Sequence, residues 1–140
     1  MQRQVAMLLV GIAATATVAG CHRAKASPAS DAATLEQTLG VRVETLRRSA
    51  GGYMLDLRYR VLDAEKAKPF FDRGVKAYLH HQKSGARLFV PRSPKIGEMR
   101  SRTAAPRNFV IFANPGQLVS SGDQVVVVVG KHRSEPLTVQ

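Results

Sequence analysis

Residues 40–140 predict an all-β domain built as an antiparallel β-sandwich. Three features carry that expectation. Tyr53, Leu55, Leu57, Tyr59 and Val61 fall on one face of an extended chain and Asp56, Arg58 and Arg60 on the other, because successive strand side chains point to opposite sides. Turn residues recur between short apolar runs, at Gly51-Gly52, Lys83-Ser84-Gly85, Asn114-Pro115-Gly116 and Ser121-Gly122-Asp123. Val125 to Val129 is an unbroken run of valines, which suits a central strand covered on both faces and would invite aggregation on an open edge. About seven short strands at this spacing give a sandwich that is immunoglobulin-like in broad plan, with a partly open barrel as the alternative.

Ahead of that domain, a short helix is expected from Asp31 or Thr34 to Leu39, with Thr34 as its N-cap, Gln37 reaching back and Gly40 as its stop. Val41, Val43 and Thr45 alternate with Arg42 and Glu44 as a half-buried strand. After the strand at residues 53–61, the polar segment 63–68 reads as one helical turn ended by Pro69, with Phe70 and Phe71 packed beneath it. Residues 75–81 and 87–90 form a hairpin across Lys83-Ser84-Gly85.

Residues 91–106 carry Pro91, Pro94, Gly97 and Pro106, which interrupt any long strand. Their charge is lopsided, with Arg92, Lys95, Arg100 and Arg102 against Glu98, so they are expected as a basic surface loop. Residues 109–113 read as a strand apolar on both faces, and residues 137–139 as the last strand.

The first 20 residues have a different character. Arg3 is followed by an uncharged run from 5 to 20, rich in Ala, Thr and Gly, which is the layout of a secretory signal peptide. It is short and weakly apolar for a permanent membrane span. Val18-Ala19-Gly20-Cys21 resembles the lipobox of bacterial lipoproteins. The resemblance implies diacylglycerylation of the Cys21 thiol, cleavage before it and acylation of the new amino group. Several acyl chains make such an anchor effectively permanent, at about 0.8 kcal/mol per buried methylene. His22 in place of Asp after the Cys leans, by the same resemblance, towards the outer membrane. The expected organisation is a signal peptide over 1–20, the lipidated Cys and a flexible tether over 21–39, and the β domain over 40–140.

Cys21 is the only cysteine, so the domain is expected to hold by packing and without a disulfide. Lys plus Arg number 21 against 10 Asp plus Glu, a formal charge of +11. Partners that fit are anionic: a lipid head group, an envelope polymer or an acidic protein face. Few aromatics and no Trp argue against nucleic acid, and Tyr53 and Tyr59 are expected in the core, not stacked on bases. The stretch from Gly51 to Arg60, with Phe112-Ala113-Asn114-Pro115-Gly116 and Gly122-Asp123-Gln124-Val125, is similar to small exported proteins of Gram-negative bacteria. That similarity implies a compact secreted β domain and carries no activity with it.

Three chemistries are candidates. For anion binding, Arg58 and Arg60 share a strand face, and Lys83, Arg87, Arg92, Lys95, Arg100, Arg102 and Arg107 add a basic run. Asp56 and Glu44 are the acids able to neutralise the strand face. For a metal such as copper, His80 or His132 would combine with Met54 or Met99. Adjacent His80 and His81 point to opposite faces of a strand and do not share one ion. For hydrolysis, His80, Asp72 and Ser120 or Ser121 are present without a signature that joins them. The sequence thus points to a lipid-anchored periplasmic accessory protein that binds through a basic face, with no catalysis and no cofactor, and a copper-handling protein is the alternative.

Overall fold

The computed structural model describes residues 34–140; the predicted signal peptide, Cys21 and the tether as far as residue 33 lie outside the described residues. The chain enters through helix α1 (Leu35–Leu39). Thr34 Oγ1 accepts the Gln37 N–H at 3.3 Å, the capping bond that its side chain predicts. Gly40 closes the helix at φ 57° and donates to Glu36 O at 3.1 Å. Its carbonyl then accepts Leu62 N–H and Asp63 N–H at 2.7 and 3.1 Å. A Cβ here would stand 2.6 Å from Asp63 Cβ, so only glycine fits both the left-handed turn and the close approach. Leu35 and Leu39 are buried, so the folded body takes in a helix that composition groups with the tether.

The strands are β1 (Val41–Ser49), β2 (Met54–Val61), β3 (Ala77–His81), β4 (Arg87–Phe89), β5 (Arg92–Ser93), β6 (Gly97–Glu98), β7 (Asn108–Ala113), β8 (Gln124–Val129), β9 (His132–Arg133) and β10 (Leu137–Thr138). All pairings are antiparallel. One sheet runs β1-β2-β7, the other β10-β8-β3-β4 with β9 also on β8, and β5-β6 is a separate two-stranded ribbon. The all-β, sandwich-like architecture expected from alternation and turn spacing is present.

Leu55, Leu57 and Tyr59 of β2 and Val110 and Phe112 of β7 meet Leu79, Leu88, Val125, Val127 and Val129 of the other sheet in one buried cluster. Each such aliphatic side chain contributes about 1.5–3 kcal/mol on burial. The valine strand has neighbours on both edges, β3 on one and β9 and β10 on the other, as its composition requires.

Two expectations need correction. Tyr53 precedes β2 and is 58% exposed, because the Gly51-Gly52 turn extends through it and sets the core face to begin at Leu55. Pro69 begins a helix where it was expected to end one. Helix α2 is Lys68–Phe71 with Pro69 in its first turn, where the missing N–H costs nothing. Phe70 is buried against Tyr59, ring centroids 4.9 Å apart.

Both edges of the β1-β2-β7 sheet are stitched. Gln140 N–H donates to Leu46 O at 2.8 Å and Arg48 N–H to Gln140 O at 3.2 Å, joining the segment after β10 to β1. Along β7, Ser101 N–H donates to Phe109 O and Ile111 N–H to Met99 O, both at 2.9 Å. Satisfied edges leave less backbone to pair with another chain. Inside, Asn114 is fully buried and makes bonds of 2.8–2.9 Å to Gly52 O, Val119 O and Val119 N–H, locking the β1–β2 turn to the segment after β7. Among the described residues no helix is long and apolar enough to cross a membrane.

Candidate anion-binding site

The outward face of β2 is where alternation puts Arg58 and Arg60, and both are there, but both are engaged. Arg58 Nε donates to Asp56 Oδ1 at 2.7 Å and its Nη2 to Oδ2 at 2.9 Å, a two-bond fork on a carboxylate that is itself buried. The guanidinium also lies over the Phe109 ring, 5.4 Å from its centroid. Arg47, opposite Asp56 in the register, adds a looser contact at 3.8 Å. Arg60 Nη2 reaches Glu44 at 3.0 Å, and Arg42 reaches Glu36 at 2.6 Å. Glu44 neutralises Arg60 across the strands as expected, whereas Asp56 pairs chiefly with Arg58 on its own strand.

Arg100 is not a surface cation. It is 5% exposed, donates through Nη2 to Asp72 O at 2.6 Å and through Nη1 to Val75 O at 3.2 Å, and sets Nε 2.7 Å from Glu98 Oε2. That last contact is an ion pair whose angle is poor for a hydrogen bond. Burial pushes the Tyr59 phenol well above its usual range, and the Arg100 charge partly opposes the rise. Proximity in a basic run made Arg100 a candidate; its backbone bridge at Val110 carries it inward.

The remaining cations converge elsewhere. The β5-β6 ribbon pairs Arg92 with Glu98 and Ser93 with Gly97. At Gly97, φ is 77°, and Arg73 Nη2 and Arg102 Nη2 stand 3.8 and 3.7 Å from where a Cβ would sit. Two guanidinium groups from segments far apart in sequence therefore flank one bare backbone position. Arg102 Nη2 also donates to Ile96 O at 3.2 Å. Among the described residues, none of Arg73, Lys76, Arg92, Lys95 and Arg102 makes an ion pair. Among the described residues, Glu98 pairs with Arg100, Asp63 with Lys66 and Glu65 with Lys68, and Asp72 Oδ1 accepts the Gly74 N–H at 2.7 Å. An open cleft of about 180 Å³ adjoins the ribbon, lined by Lys76, Ala77, Phe89, Val90 and Glu98.

Arg87 lies apart on β4 with its guanidinium 5.5 Å from the Tyr78 ring. Arg73 and Lys76 were missed by sequence reasoning. Each is a lone cation after α2, and only the tertiary return of the ribbon brings Arg73 beside Arg102.

The expected metal ligands are dispersed. Met54 and His80 project from the outward faces of different sheets, since Leu55 and Leu79, their neighbours, are buried inward. His132 pairs with Val129 at a short edge strand, and Met99 follows the ribbon. Among the described residues no three His, Cys, Asp or Glu side chains are gathered for a metal ion.

The hydrolytic set His80, Asp72 and Ser120 or Ser121 is not assembled; His81 is instead flanked by Ser84 and Asp123. Ser84 Oγ is 2.7 Å from His81 Nδ1, and Asp123 Oδ2 is 3.4 Å from Nε2. Asp123 also accepts the Ser120 N–H at 2.8 Å, which chiefly holds its carboxyl below the ordinary range; burial opposes that, and proximity to His81 and Lys83 adds lesser lowering. His81 is 2% exposed, so its ring ties the β3–β4 turn to the loop before β8 without opening to solvent.

Compared with protein families, curated proteins and solved structures, the chain matches none of them.

Proposed function

We propose that this is a lipid-anchored envelope protein of the periplasmic space, held at the outer membrane by an acylated Cys21, that acts by binding an anionic partner and performs no catalysis. The observation that carries the reading is the pair Arg73 and Arg102, whose Nη2 atoms both stand within 4 Å of the Cβ position at Gly97, while the adjacent Glu98 is engaged by Arg100. Guanidinium forks suit phosphate and carboxylate oxygens, and two of them over a backbone position without a side chain leave room for such a group. The excess of Lys and Arg, 21 against 10 acids, supports the same polarity of partner. The site is thereby assigned to the ribbon and not to the outward face of β2, whose arginines are already paired.

The test is salt elution from an immobilised polyanion such as dextran sulfate. Replacing Arg73 and Arg102 together by Ser lowers the eluting salt concentration by more than twice the shift produced by Arg58→Ser with Arg60→Ser. Both pairs remove the same formal charge, so equal shifts would mean that net charge alone governs retention and that the ribbon is no site.

A further inference from the structure

The loop joining β5 to β6 carries an exposed apolar side chain among several cations. Ile96 is 62% exposed, the most exposed large hydrophobic residue described. A single exposed aliphatic residue is ordinary on a protein surface and by itself signifies nothing. Here its surroundings differ from a generic surface. Lys95 precedes it, Arg102 is bonded to its carbonyl at 3.2 Å, and Arg73 and Arg102 flank Gly97 immediately after it.

We infer that this loop docks on an anionic lipid surface, with Ile96 entering the boundary between head groups and acyl chains and a lipid phosphate held between Arg73 and Arg102. The inference rests on the proposed anion-binding site and names its ligand. A soluble polyanion or an acidic protein loop would engage the cations and gain little from the isoleucine. A bilayer interface engages both at once, because phosphates lie directly above the apolar layer that accepts such a side chain. Gly97 contributes space: any side chain there would stand in ordinary contact with both guanidinium ends and occupy the position a phosphate needs. The bend at φ 77° at the same residue turns the loop so that both arginines reach it.

The chain contains no Trp, so Ile96→Trp in the full-length protein introduces a single reporter. The protein is mixed with vesicles of phosphatidylcholine alone or with added phosphatidylglycerol, and tryptophan emission and acrylamide quenching are read. With phosphatidylglycerol the emission shifts to the blue and quenching falls about twofold or more, and high salt reverses both. Adding Arg73→Ser and Arg102→Ser weakens docking about 25-fold, as expected for the loss of two cations near a charged bilayer, and returns the emission to its value in phosphatidylcholine. Leu118→Trp, on the remote segment before β8, stays red throughout. Equal quenching of the Ile96→Trp protein in both vesicle types would overturn the lipid assignment, as would equal protection of the Leu118→Trp protein. Retention on dextran sulfate that still depends on Arg73 and Arg102 would then leave the anion site standing with a different ligand. Loss of that dependence would remove the site itself.

Discussion

Replacing Arg100 by Met is the sharpest test of how the molecule is held together. Arg100 spans from the segment beside β7 to the segment between α2 and β3, where two backbone carbonyls, Asp72 O and Val75 O, accept from it at 2.6 and 3.2 Å. Methionine keeps most of the stem volume and removes the charge and the donors. Hydrogen bonds from a charged donor contribute about 1.5–3 kcal/mol each. Asp72 is exposed, so water replaces part of its bond, and the net loss is about 2–4 kcal/mol. For a domain near 100 residues this lowers the melting midpoint by about 10–25 °C. Urea unfolding followed by circular dichroism measures the free energy, with Arg102→Met as the control; its exposed side chain makes it cost no more than about 0.5 kcal/mol. A shift for Arg100→Met no larger than that of the control would refute the bridging role.

Two further outcomes follow from buried or paired groups. The Tyr59 hydroxyl is buried and has no hydrogen-bond partner among the described residues, so Tyr59→Phe leaves stability unchanged or raises it by up to about 1 kcal/mol. Because burial raises its folded pKa, the folded state keeps a proton that the unfolded chain releases above about pH 10, and stability declines from there upward; urea midpoints of the Phe variant lack that part of the decline. Asp123 has a lowered pKa, so its contribution is present above the unfolded value near pH 4 and is lost as pH falls through the lower folded value. Midpoints of Asp123→Asn measured from neutral pH downward show a shallower acid limb than the parent protein; an identical limb would show that the Ser120 and His81 contacts do not favour the charged form.

Period-two alternation at Leu55, Leu57 and Tyr59 made β2 legible, and the Val125–Val129 run made the central strand legible, because each pattern is a local record of which faces are buried. Thr34 and Gly40 marked the short helix for the same local reason. The exposure of Tyr53 was not legible, since the turn that displaces it has the same two glycines as one that stops sooner. Nor was the burial of Arg100: its acceptors are carbonyls, which have no sequence signature. The anion site was half legible. Lys95 and Arg102 stand in a basic segment, but Arg73 joins them only through tertiary structure, and the neutralisation of Arg58 depends on a carboxylate two residues away choosing it over solvent.

The double acceptance at Gly40 O, from Leu62 and Asp63, has a mechanical side. Tension applied from the residues before Thr34 would reach the body through α1 and meet that clamp before it meets the β1–β2 ladder, whose first pair is Val41 with Val61. Without the clamp, an antiparallel pair pulled from one end opens a bond at a time, as a zipper does. With Leu35 and Leu39 seated in the core and two N–H groups on one carbonyl, the pull must extract a helix and break both bonds together, so the ladder behind them takes no load until that clamp gives all at once.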